Sequence, residues 1–534
     1  MTPGWVRWPG KRLAESSDEP VDHLSKESIS MERFLEMNQR LIGATIEHMR
    51  AAQAYWTGVF AYMNEFMTPY LIAMNSFHSM EREKLLDKSL WETIRDYMEL
   101  YRFNLQLAER GFISSFRTMN EYHLQKMSKA LSAWLNTIFD HEGEDIERFM
   151  AGQARLLEKV VYSYPQAIRD IEAEYGLHLD DGGYAKKAET ERFSLYQILP
   201  LDKKVKVREH GKPLLIVPPA VLGANILAFL PHENKSYVHC FANQGIPTYI
   251  RITKDIATTP AVQVMTGEDD VRDTRFFCEG LKARHGRPVT LNGFCQGGFM
   301  TLLSLLSGEL DGLVDAHITC VAPIDGSRSK SLVEYLDHTP ARFRDLGYAV
   351  KSLPNGNRVV DGKVMSWVFK LRSIEKEAPM LSFYRDLMMF DSWNGNGHEV
   401  KINKTAAALN HWLLYDRCDL PLAITKLSYD SYTIPVTEDG TLPVRLFGRK
   451  LNFKRLKDQG IKWLICYAEK DDLVDKASAL APLDFVDAEV CAFPKGHVSI
   501  ATSWSNPGSQ CALHTRFGGY RGPVRYHLDL EESV

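Results

Sequence analysis

Gly293-Phe294-Cys295-Gln296-Gly297-Gly298 follows the apolar run Pro288-Val289-Thr290-Leu291 and precedes Phe299-Met300-Thr301-Leu302-Leu303-Ser304-Leu305-Leu306. Strand, glycine-flanked turn and helix in that order read as a Gly-x-nucleophile-x-Gly elbow, with cysteine where serine is more usual. Such a turn is sharp enough to hold its middle side chain in strained exposure. The small residues beside it let the backbone pass close by. A short glycine pattern arises often by chance, and here the flanking strand and helix supply the context. A buried cysteine serving only as a small hydrophobe would leave the elbow glycines without a purpose.

Outward from the elbow, short apolar runs alternate with helical segments. Pro213-Leu214-Leu215-Ile216-Val217-Pro218-Pro219 is a buried strand running into a loop, and Pro247-Thr248-Tyr249-Ile250-Arg251-Ile252 is another. The helical stretch 269–284 leads to the strand before Cys295. Ala316-His317-Ile318-Thr319-Cys320-Val321, Lys462-Trp463-Leu464-Ile465-Cys466-Tyr467 and Glu489-Val490-Cys491-Ala492-Phe493 follow. This alternation predicts an α/β protein with a mostly parallel sheet covered by helices on both faces. Residues from about 326 to 455 lack the alternation and read as a cap inserted over the strand ends.

A cysteine elbow needs a base, and the base needs an orienting group. On an α/β-hydrolase sheet they come in the order nucleophile, acid, base, on loops after later strands. Asp471 follows the strand 462–467, and His497 follows the strand 489–493 in Gly496-His497-Val498. The expected triad is therefore Cys295, Asp471 and His497, with Asp472, Asp475 and Asp325 as weaker candidates for the acid. His497 takes the thiol proton and Asp471 holds the imidazole. The oxyanion needs backbone N–H donors. Gln296, opening the helix after the elbow, is one. Pro218 and Pro219 have no N–H, so Val221 (or Ala220) is the other. A thiolate exchanges one sulfur leaving group for another, so acyl transfer from a coenzyme A thioester is nearly balanced. The acyl-cysteine remains an activated donor.

The first part of the chain is helical in pattern. Residues 1–28, rich in Ser, Asp, Glu, Lys and Pro, are expected to be disordered. Ile42, Ile46, Met49, Gln53, Trp56, Phe60, Met63 and Met67 step by fours and threes along a helix expected to end near Pro69. Further helices are expected over 90–119, 124–139 and 146–162. The domains read as an all-α region at 29–183, with Asp180-Asp181-Gly182-Gly183 as linker, and a catalytic domain at 184–534. The Met- and aromatic-rich faces suit packing between helices, and alternatively a dimer surface or adsorption to an apolar particle.

The composition is that of an ordinary globular protein: 534 residues, 45% hydrophobic and 25% charged, with a formal net charge of −4. That charge gives no reason to propose a nucleic-acid partner. Eight scattered cysteines without a C-x-x-C pair suggest buried thiols in a reducing compartment, not a disulfide framework or a zinc site. No apolar run is long enough for a transmembrane segment and no signal core opens the chain, so a cytoplasmic location is expected. No nucleotide loop, metal spacing or flavin motif is evident, so no metal or other cofactor is expected.

Together these residues resemble the polyhydroxyalkanoate (poly-3-hydroxybutyrate) synthases, a family within the α/β-hydrolase superfamily. The resemblance runs from about Phe193 to Gly298 and resumes near Trp393 and at 461–500. It is carried by Pro213–Pro219, Pro231-His232-Glu233-Asn234-Lys235-Ser236, Gln244-Gly245-Ile246-Pro247, the cysteine box, Lys470-Asp471-Asp472-Leu473-Val474 and Gly496-His497-Val498. Asp391-Ser392-Trp393-Asn394 resembles the family's Trp-Asn motif. Asp471 and His497 fall on the family's catalytic acid and base, and Val221 on its oxyanion donor. The resemblance implies an α/β-hydrolase core under a mobile cap, a homodimer, and an acyltransferase that polymerises (R)-3-hydroxyacyl-CoA with release of coenzyme A. It also implies an N-terminal region on polymer granules. The sequence departs from the family at Ala220-Val221-Leu222-Gly223-Ala224-Asn225, Ile252-Thr253-Lys254-Asp255, Asn396 and Ala322-Pro323-Ile324-Asp325-Gly326-Ser327-Arg328. The competing readings are a thioesterase, esterase or intracellular polyester depolymerase with the same triad, and a granule-binding scaffold on a degenerate core.

Overall fold

The computed structural model describes residues 21–139, 141–330, 333, 346–365, 374, 378–393 and 402–503. Its centre is an eight-stranded sheet. The strands are β1 (Tyr184–Glu189), β2 (Phe193–Ile198), β3 (Leu214–Val217), β4 (Thr248–Thr253), β5 (Val289–Phe294), β6 (Val314–Cys320), β7 (Lys462–Ala468) and β8 (Glu489–Phe493). Their spatial order is β1-β2-β4-β3-β5-β6-β7-β8. The β1–β2 and β2–β4 pairs are antiparallel, and every pairing from β4 to β8 is parallel. This is the α/β-hydrolase fold. β3 and β5 are buried at every position, as central parallel strands covered on both faces must be.

The connecting helices have local reasons to start and stop. Helix Gly267–His285 opens on a reciprocal capping box between Thr266 and Asp269 and ends at Gly286, whose φ of 70° suits glycine. Its inner face joins Val271, Phe277 and Leu281 to the main core beside Leu291, Phe299 and Leu302. The same helix supplies Asp270, which pairs with Arg251 of β4 at 2.7 Å, both side chains 5% exposed. The guanidinium also lies over the Phe193 ring, 4.1 Å from its centroid. Asp270→Ala strands that buried cation. The expected cost is about 3–5 kcal/mol, read as a lower urea midpoint, whereas breaking an exposed pair such as Arg275–Glu279 should leave the midpoint nearly unchanged.

All of the insertion expected at about 326–455 falls between β6 and β7. Its described parts include helices Pro379–Trp393, Lys404–Tyr415 and Leu422–Thr433. They also include a small antiparallel sheet of Val350–Ser352, Arg358–Val360 and Leu420–Pro421. The last part is not a cover. The hairpin Thr441–Leu446 and Arg449–Asn452 sends Leu442, Val444, Leu446 and Leu451 into the core of the main sheet. Asn394 and Asn396 lie outside the described residues, as do Cys511 and residues 1–20 of the stretch expected to be disordered.

The N-terminal helices are longer than the sequence suggested. The first runs Val21–Lys84, beginning inside the stretch 1–28, and the second runs unbroken over Leu90–Phe139. The first continues through Pro69, correcting the expected end there. Proline costs a helix roughly 3 kcal/mol by removing an N–H and crowding the preceding turn. Phe66, Tyr70 and Ala73, on both sides of it, pack against Phe103, Leu107 and Ile374, and that packing overrides the local penalty.

The chain divides into two compact units, Met1–Gly58 with Asn120–Val161, and Val59–Met119 with Tyr162–Val534. The division cuts both long helices, where the sequence suggested a boundary at 183. Inside the smaller unit, Ala44, Ala133, Ile146 and Phe149 form the buried cluster, and helix Ile146–Glu158 is capped by the Asp145 carboxylate. Among the described residues no helix is long and apolar enough to cross a membrane.

Candidate active site

Cys295 sits at the junction of β5 and helix Gln296–Ser307 with φ 52° and ψ −124°. A positive φ on a side-chain-bearing residue costs of order 1–3 kcal/mol and persists only where the surroundings enforce it. The enforcing contacts are visible. A Cβ on Gly293 would lie 2.4 Å from Gly298 Cα, and one on Gly298 would lie 2.5 Å from the Ala322 Cβ. A Cβ on Gly297 would meet the carbonyl oxygens of Val217 and Pro218 at 2.3 and 2.6 Å. The three glycines are therefore the places where strand end, helix start and neighbouring loops approach too closely for a side chain. The Cys295 N–H donates to the Cys320 carbonyl at 2.8 Å, which ties the elbow to β6.

Gly297→Ala tests this fit. The methyl forces the end of β3 away from the helix, an overpacked contact worth about 1–3 kcal/mol. The same shift displaces the loop that carries Val221. A lower thermal midpoint together with a fall in turnover on the order of 10²-fold is expected, because a misplaced oxyanion donor loses its alignment.

The loops after β7 and β8 bring Asp471 and His497 together. His497 Nδ1 lies 2.8 Å from Asp471 Oδ2, with the side chains 9% and 1% exposed. The other carboxylate oxygen, Oδ1, accepts the amides of Leu473 and Val474, each at 2.9 Å. With its carboxylate fixed from both sides, Asp471 sets the tautomer of the ring: Nδ1 donates, leaving Nε2 to face the chemistry. Nε2 is buried and makes no hydrogen bond among the described residues. The Cys295 thiol is nonetheless near enough to raise the proton affinity of the ring. Phe294, beside the thiol, stands edge-on to the imidazole with centroids 6.2 Å apart. Burial disfavours an imidazolium here, but the Asp471 carboxylate and then Cys295 outweigh it, and the His497 pKa is pushed up to about 10.

The weaker acid candidates are placed otherwise. Asp325 accepts from Ser327 Oγ at 2.5 Å and Arg328 Nε at 3.0 Å. Asp475 accepts the Lys330 amide at 2.5 Å, and Asp472 is exposed. Gln296 opens the helix after the elbow, where N–H groups point outward and the helix dipole is positive. Val221 is buried on the loop after β3. Neither amide donates a hydrogen bond among the described residues, so both are available to an oxyanion.

Several contributors escaped the sequence reading. Val321, just after β6, has φ 45°, a conformation a β-branched residue avoids, and its N–H is held by the Cys466 carbonyl. It supports the Ala322 wall against Gly298. Val221 packs with Val350, Val360, Val364 and Leu420 of the insertion, so the insertion braces the loop after β3. Cys320, Cys466 and Cys491 are in register on three neighbouring strands, and all three are buried. No group of His, Cys, Asp and Glu able to hold a metal occurs among the described residues.

Neither a protein-family model nor a curated protein matches the chain in sequence. Solved structures resemble it in fold. A carboxylesterase of the ammonia-oxidising thaumarchaeon Nitrososphaera gargenis is 12% identical, covering 60% of this chain and 92% of its own, with a TM-score of 0.34. The esterase domain of a Rhodothermus marinus protein is 13% identical over 63% and 94%, with a TM-score of 0.31. The thioesterase domain from the curacin biosynthetic pathway is 10% identical over 60% and 95%, with a TM-score of 0.29.

Proposed function

We propose that this chain is an enzyme that forms an acyl-cysteine at Cys295 from an acyl thioester or ester and passes the acyl group to an oxygen acceptor. The observation that carries the reading is the imidazole of His497, held by Asp471 at 2.8 Å on one side and bordered by the elbow cysteine on the other. Cys295 gives its thiol proton to His497 Nε2, and the thiolate attacks the acyl carbonyl carbon. The carbonyl electron pair moves to oxygen, where the amides of Gln296 and Val221 receive it. Collapse expels the leaving group, a thiolate from a thioester or an alkoxide from an ester, which takes the proton from His497. An acceptor O–H then gives its proton to Nε2 and attacks the acyl-cysteine, and the returning thiolate is released.

Two acceptors fit this cycle. Water makes the enzyme a thioesterase or esterase, or a depolymerase if the ester is a polyester. This reading is supported by the departures at Ala220–Asn225 and Ile252–Asp255, where the chain loses residues that surround the site in the synthases it resembles. A hydroxyl group makes it an acyltransferase of (R)-3-hydroxyacyl-CoA, similar to the polyhydroxyalkanoate synthases. That reading is supported by the cysteine nucleophile, whose acyl thioester is a better donor to alcohols than a serine ester. Incubation with (R)-3-hydroxybutyryl-CoA separates them. Coenzyme A with free acid supports hydrolysis, and coenzyme A with insoluble polyester supports transfer. No coenzyme A release, with a panel of short esters also uncleaved, overturns the enzyme reading.

A further inference from the structure

Within the larger unit, the helical stretches 59–84 and 90–119, with Ile374, Ala378, Pro379 and Met380, line a cavity of about 880 Å³ that the chemistry above does not use. We propose that it binds a neutral acyl ester. Its walls are dominated by thioethers and aromatic rings, among them Met67, Met74, Phe66 and Tyr101. Thioethers on unbranched, flexible stems conform to a ligand that itself bends, which suits a hydrocarbon chain better than a rigid ring. The volume lies in the range of small-molecule sites, roughly 300–1,000 Å³.

Two polar observations choose the headgroup. No Asp, Glu, Lys, Arg or His occurs among the described residues of the lining. A carboxylate or ammonium inside would meet no opposite charge among those residues and would keep most of its desolvation penalty. Asn104 supplies an amide with capacity to spare. Its side chain bonds only to the Met74 sulfur, at 3.9 Å, among the described residues, and a thioether is a weak acceptor. The other short polar side chain, Ser115, already donates to the Gly111 carbonyl at 2.7 Å. An uncharged carbonyl at Asn104 with an apolar chain along the methionines satisfies both. At the mouth, Met98 and Phe112 are 60% and 70% exposed, apolar surface that a bound chain would cover.

The test uses the full-length chain carrying Cys295→Ala, so that no ester is consumed. It titrates methyl cis-parinarate by fluorescence and follows the same samples by sedimentation. One saturable site is expected. Ala108→Phe fills the cavity and should weaken binding at least about tenfold. Met98→Lys, at an exposed position that tolerates the change, should do the same by putting a charge at the mouth, and Asn104→Leu should weaken the ester but not the corresponding hydrocarbon. Absence of saturable binding, or binding unaffected by both Ala108→Phe and Met98→Lys, overturns the proposal. So does a wild-type dimer that Met98→Lys turns into monomers, which would assign the surface to a second copy of the chain. The readout is binding, so its failure leaves the acyl-cysteine reading untouched.

Discussion

Cys295→Ala is expected to abolish coenzyme A release and acyl-enzyme formation, with turnover falling at least about 10⁴-fold. The elbow is locked by contacts at Gly293, Gly297 and Gly298 that do not involve the sulfur, so alanine should leave the turn intact. Only the nucleophile is removed, and the residual rate is what oxyanion donors and binding alone provide. Cys295→Ser separates nucleophile from geometry. It keeps a side chain of the same reach, but a hydroxyl yields its proton to imidazole far less readily than a thiol. Turnover between alanine and wild type is expected, together with a more persistent acyl-ester. Mass spectrometry after exposure to acyl-CoA checks both: wild type should gain one acyl mass at Cys295, the alanine variant none. An acylated alanine variant would place the nucleophile elsewhere.

What the sequence disclosed, and what it hid, follows from how local each signal is. The elbow was legible because its requirement is local: three glycines at fixed offsets between an apolar strand and an apolar helix. The pairing of Asp471 with His497 was legible through chain order, since a loop after a late strand needs only the strand to be recognised. β1 and β2 were not read as strands. β1 lies at the sheet edge, and its Lys186, Lys187 and Glu189 give no apolar run to find. The continuation through Pro69 was hidden because it depends on Phe103, Leu107 and Ile374, residues distant in sequence. The hairpin at 441–452 looked like part of a cap because its alternation is short and interrupted, yet it fills the main core. Val321 gives no sequence sign of its positive φ at all. Only the parallel register of β6 against β5 and β7 brings it to the elbow.

Asp471→Asn is expected to lower turnover on the order of 10³-fold while leaving the loop folded. Asparagine can still accept the Leu473 and Val474 amides through its carbonyl oxygen. Its NH₂ then faces His497 Nδ1 as a donor. The ring must answer with an acceptor at Nδ1, which moves its proton to Nε2, the atom that has to take the thiol proton. The tautomer is wrong for catalysis although nothing has moved. A pH signature distinguishes this from simple damage. In the wild type the His497 pKa is raised from 6.5 to about 10, so the protonated ring is bound more tightly in the folded chain than in the unfolded one. Stability from that source is fully present below pH 6.5 and is lost as pH rises through 10. In the variant the carboxylate no longer offsets burial, and the pKa falls. Urea unfolding should therefore show the wild type's advantage over Asp471→Asn complete near pH 6 and shrinking steadily between about pH 7 and 10. An advantage that stays constant across this window would mean that the imidazolium is not what Asp471 stabilises, and that its role is confined to bracing the loop.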